Sequence, residues 1–275
     1  MANIQKGETV MSQENFSIGI IGGSGMLGSA IASAILKQEL IDPEHLWISN
    51  RSGNGPQAWI DAGVRFTTSN QELVDACDLV LLSVPPAQGS ELRIDASERL
   101  VVSVMAGTSI ERLREMTGAH RIVRAMSSPA AEHSLAYSPW VAGADLAERD
   151  LSRVRELFDA CGTTDEISDE AQIEIFTAMT GPVPGFVAYF AKCMVNYACA
   201  RGISPAVADR SVRQLFLAAG RMMAEGETSP SQHVRQMVDY AGTTAAGLNR
   251  MKQTSIAEDI ALGLDAAVER TRTIG

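Results

Sequence analysis

The sequence lacks the residue patterns that mark metal sites, disulfide frameworks and histidine-based nucleophilic catalysis. Its four cysteines form no Cys-x-x-Cys pair, and its four histidines are scattered without the spacing of metal ligands. We therefore expect buried free thiols, no metal and no serine-type triad.

The sequence also lacks an excess of basic charge and an uninterrupted apolar run. It has 33 acidic and 23 basic residues, a formal net charge of −10, and no basic stripe, so neither nucleic acid nor an anionic membrane is an expected partner. The most apolar stretch, residues 173–200, is interrupted by glycines and prolines at 181–185 and by Lys192, which argues against a bilayer span. Residues 1–15 are polar, and we expect a flexible tail on a cytoplasmic protein.

One stretch near the N-terminus has the order of a strand, a glycine-rich turn and a helix. Residues 18–21 are apolar, the turn has the spacing Gly23-x-Gly25-x-x-Gly28, and a helix is predicted over residues 26–38. In such a turn the first glycine allows a tight bend, the second lets the backbone approach a pyrophosphate, and the third lets helix and strand pack closely. Because the helix N-terminus supplies N–H groups and partial positive charge, the turn predicts a dinucleotide site.

The end of the second predicted strand, residues 46–49, indicates which dinucleotide binds. An NAD site usually has an acidic residue here to bind the ribose 2′-hydroxyl, whereas an arginine accommodates a 2′-phosphate. This sequence has Asn50, Arg51 and Ser52. We therefore predict NADP, and NADPH as its reduced form, while a merely solvated Arg51 is the alternative.

Further apolar runs predict the rest of an α/β domain. The runs at 79–84 and 100–105 are continuous, as expected for parallel strands with helices on both faces. In open parallel sheets the ligand lies beyond the carboxyl ends of the strands. The predicted cofactor-binding residues are Gly23, Ser24, Gly25, Met26, Leu27, Asn50, Arg51, Ser52, Val84, Pro85, Met105, Ala106 and Gly107.

Helical periodicity replaces the strand pattern past Ser168. The first predicted helix, about 173–201, is apolar around most of its circumference, which predicts burial against a second subunit. Further helices are predicted at about 205–225, 230–238, 243–253 and 255–272. We therefore expect a Rossmann-type, doubly wound and mostly parallel sheet in residues 16–168. Residues 169–275 are expected to form an all-helical domain that binds substrate and forms a homodimer, with a higher oligomer left open.

Three stretches resemble the pyrroline-5-carboxylate reductase family, and the resemblance runs from about Ser17 to the C-terminus. They are residues 20–30, residues 102–113 (VSVMAGTSIERL), and residues 241–248 (AGTTAAGL), which resemble the family's turn GGTTIAGL. The resemblance implies NAD(P)H-dependent reduction of a cyclic imine carboxylate, by default to proline. It also implies that Asp239, Gly242, Thr243 and Thr244 bind the substrate, with the proton-donating or orienting role on Thr244.

The chain departs from the family pattern near the implied substrate site. Asp239-Tyr240-Ala241-Gly242 stands where the family usually has S-P-G-G, and the loops at 126–129 and 180–186 are altered. At ~4 Å, two like charges cost roughly 1 kcal/mol in water and about 4 kcal/mol at an effective dielectric of 20. Asp239 is therefore expected to weaken the binding of a substrate that carries a carboxylate. Our hypothesis is an imine reductase whose substrate carries a cationic group, which would meet Asp239.

Three other interpretations stay open. Thr243 and Thr244 are alternatively helix-capping residues only. Lys192 and Asn196 lie four positions apart and so share one helix face. If Lys192 is buried, this arrangement resembles that of the β-hydroxyacid dehydrogenases, which use a helix lysine on an alcohol or carbonyl. The third interpretation is a non-catalytic NADP-binding protein, because the fold alone does not imply that a reaction is catalysed.

Overall fold

The structure is a computed structural model that describes residues 16–89 and 92–273; the predicted tail at 1–15 lies outside these residues. The chain divides into two compact units. The first ends at Gly181 and also takes up the chain from Val268 onward, and the second is Pro182–Ala267.

Within the described residues the first unit forms one sheet. Its strands are β1 (Ile18–Ile21), β2 (Leu46–Ser49), β3 (Arg65–Thr67), β4 (Leu79–Leu82), β5 (Leu100–Ser103), β6 (Arg121–Ala125), β7 (Ala136–Ala142) and β8 (Gly162–Glu166). The helices are α1 (Met26–Lys37), α2 (Gln57–Ala62), α3 (Asn70–Ala76), α4 (Pro86–Gly89), α5 (Ile110–Thr117), α6 (Glu148–Cys161) and α7 (Gln172–Met179), with 3-10 turns at Pro43–His45 and Pro129–His133.

The strand order is β3-β2-β1-β4-β5-β6-β7-β8, and every pair is parallel except β6 with β7. This is the order of a doubly wound fold, in which the direction of winding reverses between β1 and β4. The predicted fold class is therefore confirmed. The turns after these two strands lie at the switch point, where such sheets bind their ligands.

Burial explains the strand predictions at the centre of the sheet. Every residue of β1, β4 and β5 is buried. One face of the sheet packs against α1 and α6, and the other packs against α3 and α5. Because both faces are covered, these strands are apolar at successive positions instead of alternating.

The predicted helix at 173–201 is wrong, because the structure has two helices there. α7 ends at Met179, and the next helix begins at Gly185. Pro182 and Pro184, which lack an N–H group, lie between them and cannot continue the helical hydrogen bonds. α7 belongs to the first unit, where Ile173 is fully buried. The boundary predicted near residue 168 therefore lies at the end of the sheet, before this last packed helix.

The second unit is helical, and few of its side chains are buried. It contains α8 (Gly185–Cys199), α9 (Pro205–Glu225), α10 (Pro230–Asp239), α11 (Thr243–Met251) and most of α12 (Ile256–Arg272). α8 has no buried residue, and its apolar residues Val187, Tyr189 and Tyr197 are more than half exposed. No helix in the described ranges is both long and apolar enough to cross a membrane.

Candidate functional site

The turn after β1 closely approaches the neighbouring strand ends. Gly22 has a φ of +82°, in the left-handed region that favours glycine. A Cβ on Gly22 would lie 2.5 Å from the carbonyl oxygen of Ser83 and 2.7 Å from Cγ1 of Val84. The Gly22 N–H donates to the Ser49 carbonyl at 3.1 Å. The tight bend that the sequence analysis placed on Gly23 is therefore made by Gly22, outside the predicted spacing.

Of the three glycines of the predicted spacing, two allow close packing of the turn against its neighbours, and the third leaves the backbone accessible to a ligand. A Cβ on Gly28 would lie 2.6 Å from the carbonyl oxygen of Gly22 and 2.9 Å from Cα of Gly23. A Cβ on Gly23 would lie 2.8 Å from Cγ2 of the buried Ile48. Gly25 is the N-cap of α1 and is exposed. The backbone of the turn is thus open to a ligand at its tip and tightly packed beneath.

The N-terminus of α1 has the features of an anion site. Gly25 offers no side-chain cap, and the first helical turn contains no acidic residue. The first hydrogen bond back to the cap runs from the N–H of Ser29 to the carbonyl of Gly25 at 2.9 Å. The preceding N–H groups of Met26, Leu27 and Gly28 therefore have no partner within the helix. Met26 is exposed beside them, and Leu27 is half-buried.

The loop after β2 lies against the glycine turn. Nδ2 of Asn50 donates to Oγ of Ser24 at 2.6 Å, which joins two loops that are 26 positions apart in sequence. Arg51 and Ser52 are exposed, and Arg51 forms no ion pair with any residue that the structure describes. The structure thus brings the predicted 2′-phosphate residues to the edge of the sheet where such a group is bound.

The remaining predicted cofactor residues follow β4 and β5 at the same edge. Val84 is half-buried and Pro85 is exposed. Ala106 and Gly107 are half-buried, whereas Met105 is only 2% exposed and packs in the core. We infer that Met105 packs beneath this edge of the sheet and that the other four residues form its accessible surface.

A buried ion pair beside this edge was not found from the sequence. Arg124, at the end of β6, is only 3% exposed, and its Nη1 lies 2.9 Å from Oε1 of Glu170. The same oxygen accepts the N–H of Ile110, the first residue of α5, at 2.8 Å. Nε of Arg124 is buried without a hydrogen-bond partner in the described part of the chain. The charged pair therefore fixes the start of α5, and the sequence of β6, RIVRA, gave no signal for it.

The second candidate region is the turn between α10 and α11. Gly242 is the N-cap of α11 and gives no side-chain cap, and the first bond back to it comes from the N–H of Ala246. Thr243 and Thr244 are exposed, and neither hydroxyl is hydrogen-bonded to another described residue. The two threonines therefore do not cap the helix, and their hydroxyls and the first N–H groups of α11 are accessible together.

Two departures from the family pattern flank this turn. Asp239 is the last residue of α10 and is exposed. Ala241 has a φ of +56°, a conformation that costs a non-glycine residue roughly 1–2 kcal/mol. The turn thus has a carboxylate near the substrate residues predicted from the sequence and a strained alanine where the family has glycine.

Other predicted groups lie outside these two regions. Lys192 and Asn196 are exposed on α8, so the buried lysine of the dehydrogenase alternative is not present in this chain. Burial raises the pKa of both Cys77 and Cys161 to about 12, as expected for inert thiols. Among the residues that the structure describes, no cluster of histidine, cysteine or acidic side chains has the arrangement of a metal site.

Two family models match the chain. Residues 17–107 match the model described as NADP oxidoreductase coenzyme F420-dependent, and residues 170–274 match the model described as pyrroline-5-carboxylate reductase dimerisation. The first range contains the glycine turn, and the second contains the turn between α10 and α11. Fold and matches together define a two-domain oxidoreductase with a Rossmann-type first domain.

Relatives of known name cover almost the whole chain. The pyrroline-5-carboxylate reductase of Methanosarcina acetivorans is 28% identical over 271 residues, which are 95% of this chain and 99% of that protein. The crystal structure of Plasmodium falciparum pyrroline carboxylate reductase with NADP bound is 25% identical, with a TM-score of 0.81 over 95% of this chain and 99% of that one. The corresponding enzyme of Streptococcus pyogenes is 26% identical, with a TM-score of 0.78 over 94% and 100%. Along almost its whole length the chain is therefore similar to pyrroline-5-carboxylate reductases.

Proposed function

We propose that this protein reduces pyrroline-5-carboxylate to proline with NADPH. The observation that carries the proposal is the turn between α10 and α11, where two threonine hydroxyls and free helix N–H groups are accessible together. A hydroxyl beside such N–H groups suits a small molecule with both an imine nitrogen and a carboxylate. The names of the relatives support the same substrate.

The residues after β1 and β2 fit a phosphorylated dinucleotide. Gly25 and Met26 are exposed and Gly25 offers no side-chain cap, so the free N–H groups at the start of α1 are open to a pyrophosphate. Arg51 is an exposed cation that follows Asn50 in the chain, and Asn50 is bonded to Ser24, so Arg51 suits a 2′-phosphate. The relative from Plasmodium falciparum has NADP bound, which supports the same cofactor here. When bound, NADPH supplies the hydride that the imine carbon receives.

The residues of the chain bind and orient the substrate. The N–H groups at the start of α11 hold its carboxylate, aided by the positive end of the helix dipole. The Thr244 hydroxyl donates a hydrogen bond to the imine nitrogen and so orients the bond to be reduced. As the hydride adds to the carbon, the nitrogen gains electron density and the hydrogen bond strengthens; the nitrogen then takes up the one proton that the reaction needs, which water supplies by way of the Thr244 hydroxyl. Gly242 and Thr243 form the rest of the carboxylate site.

Asp239 bears on which imine the protein reduces. An exposed carboxylate at about 4 Å from the substrate carboxylate opposes binding by roughly 1 kcal/mol, about a fivefold rise in KM. The hypothesis of a substrate with a cationic group therefore stays part of this proposal. It predicts that Asp239→Ser lowers the KM for pyrroline-5-carboxylate and raises it for an imine that carries an amine.

The second unit is proposed to form a homodimer. Its match to the dimerisation model and the exposed apolar residues of α8 support this assembly. A higher oligomer and a cytoplasmic location stay predictions from the sequence.

Oxidation of NADPH by the purified protein, with pyrroline-5-carboxylate as substrate, tests the proposal. Piperideine carboxylates and a panel of 3-hydroxy acids with NADP are tested beside it. We expect turnover on pyrroline-5-carboxylate, a loss of kcat of about 10- to 100-fold in Thr244→Ala, and retained activity in Thr244→Ser because the hydroxyl is kept. Thr254→Ala is the matched control, since Thr254 lies beyond the C-terminal end of α11, where its hydroxyl donates to the Met251 carbonyl and accepts the N–H of Ile256.

The outcomes separate the alternatives. Activity confined to hydroxy acids, with an active Thr244→Ala and an inactive Lys192→Met, would establish the dehydrogenase reading. NADPH binding without turnover on any imine or hydroxy acid would instead show a non-catalytic NADP-binding protein.

A further inference from the structure

The Asn50 side chain is the best-connected polar group at the proposed cofactor edge. Its Oδ1 accepts the N–H of Ser52 at 3.0 Å, the hydroxyl of Ser52 at 2.9 Å and the N–H of Gly53 at 2.8 Å. Its Nδ2 donates to Oγ of Ser24 at 2.6 Å and to the carbonyl of Asn54 at 2.8 Å. A carboxamide has two donor hydrogens and two acceptor lone pairs, so this group has no capacity left for a ligand.

The network also fixes which way the amide of Asn50 points. The atom that faces the N–H groups of Ser52 and Gly53 must be an acceptor, which places Nδ2 toward Ser24. Because the Ser24 hydroxyl accepts this hydrogen bond, its own proton is free to be donated elsewhere. It has no acceptor among the described residues, and Ser24 is exposed.

We propose that Asn50 is a positioning residue that sets the preference for NADPH over NADH without touching the cofactor. This inference rests on the proposed NADPH binding. Asn50 closes the loop at 50–54 on itself and ties it to the glycine turn at Ser24. The tie leaves the Ser24 hydroxyl free to donate, and it fixes the backbone of the loop that carries the exposed Arg51, so that one donor and one cation are available to the 2′-phosphate.

The two roles open to Asn50 make different predictions for the two cofactors. A residue that hydrogen-bonds the ribose 3′-hydroxyl directly would affect NADH and NADPH alike, since both have that hydroxyl. A residue that acts through Ser24 and Arg51 affects only the binding of the 2′-phosphate. General damage to the fold would also lower affinity for both.

The test measures the Kd of NADPH and of NADH by cofactor fluorescence, without any substrate. We expect Asn50→Ala to raise the Kd of NADPH by about 10- to 100-fold and that of NADH by less than about threefold. Asn54→Ala is the matched control, because the Asn54 side chain bonds only to the adjacent Gly55 N–H and leaves its carbonyl for Asn50. It is expected to change neither Kd by more than about threefold.

A second variant keeps the proposal falsifiable if Asn50→Ala misfolds, and a double-mutant cycle tests the route through Ser24 if it folds. Asn50→Asp keeps the acceptor for Ser52 and Gly53 but removes both donated hydrogen bonds, and it is expected to shift the preference toward NADH. In the Ser24→Ala background, Asn50→Ala should weaken NADPH binding by less than it does in the wild type.

Equal losses for NADH and NADPH, or additive effects of Ser24→Ala and Asn50→Ala, would overturn the positioning role. A wild-type protein that does not bind NADPH would instead contradict the proposed function itself.

Discussion

Substitution of Gly22 is the most direct test of the glycine turn, because two separate costs fall on this residue. Gly22→Ala places a side chain at a φ of +82°, which costs roughly 1–2 kcal/mol. The new Cβ also lies 2.5 Å from the Ser83 carbonyl oxygen, which is backbone and cannot rotate away. Overpacking of this kind costs about 1–3 kcal/mol. The free energy of unfolding of the first unit is therefore expected to fall by about 2–5 kcal/mol.

Gly118 provides a control that separates the two costs. It has a φ of +66°, but a Cβ there would approach no atom closer than 3.8 Å, so Gly118→Ala adds backbone strain without a clash. Urea unfolding followed by tryptophan fluorescence is the assay, because all three tryptophans, Trp47, Trp59 and Trp140, belong to the first unit. We expect a loss of about 1–2 kcal/mol for Gly118→Ala and unchanged NADPH affinity, since Gly118 ends α5 away from the glycine turn.

Cofactor affinity gives the second measure of the same prediction. Because Gly22→Ala displaces the turn from the end of β4, NADPH affinity is expected to fall by more than about tenfold. Gly23→Ala is expected to cost less than Gly22→Ala, since its nearest atoms belong to the side chains of Ile48 and Ile20. If Gly22→Ala unfolds like Gly118→Ala and binds NADPH normally, the close approach of backbone to backbone at this turn is not the constraint.

Three other changes test the strained turn, the buried ion pair and the thiols. Ala241→Gly relieves the positive φ at the cost of backbone entropy, and a net gain of about 0.5–1 kcal/mol is expected in urea unfolding followed by circular dichroism; a loss would contradict the strain. Glu170→Ala leaves its buried arginine unpaired and should destabilise the first unit by about 2–3 kcal/mol, against less than about 1 kcal/mol for the exposed, ion-paired control Glu111→Ala. Cys77 and Cys161, with pKa values of about 12, should resist alkylation at neutral pH until the protein unfolds, and rapid labelling of the native protein would refute their burial.

Local patterns made the centre of the first unit predictable. β1, the turn and α1 are consecutive in sequence, and their boundaries follow from apolar runs and glycine spacing. The strands β4 and β5 are apolar because both faces are covered. Only the position of the bend was wrong, since Gly22 and Gly23 are adjacent and the spacing rule cannot decide which of them has the positive φ.

Contacts between distant residues were beyond such patterns. Asn50 bonds to a hydroxyl 26 positions away, and Arg124 pairs with a carboxylate 46 positions away. From the sequence alone Arg124 is predicted to lie at a solvated strand end. The residues next to it in the sequence cannot show that a distant segment of the chain covers it. The strand β7 was also missed, although most of it is buried. The strand β8 gave no apolar pattern, because it has the polar sequence GTTDE and lies at the edge of the sheet, where little burial is required.

The error in the length of the first helix of the second domain did not affect the inference drawn from its surface. A single helix at 173–201 was predicted, and the structure breaks it at the prolines. The inference of a partner subunit depended on apolar residues that surround the helix on most sides. Such a distribution is a property of each helical turn and does not depend on the length of the helix. α8 alone retains it, with Phe186, Val187, Tyr189 and Phe190 all exposed by more than two-fifths. An isolated chain would leave this face in water, and the match of residues 170–274 to the dimerisation model supports a second copy of the chain as the partner that covers it.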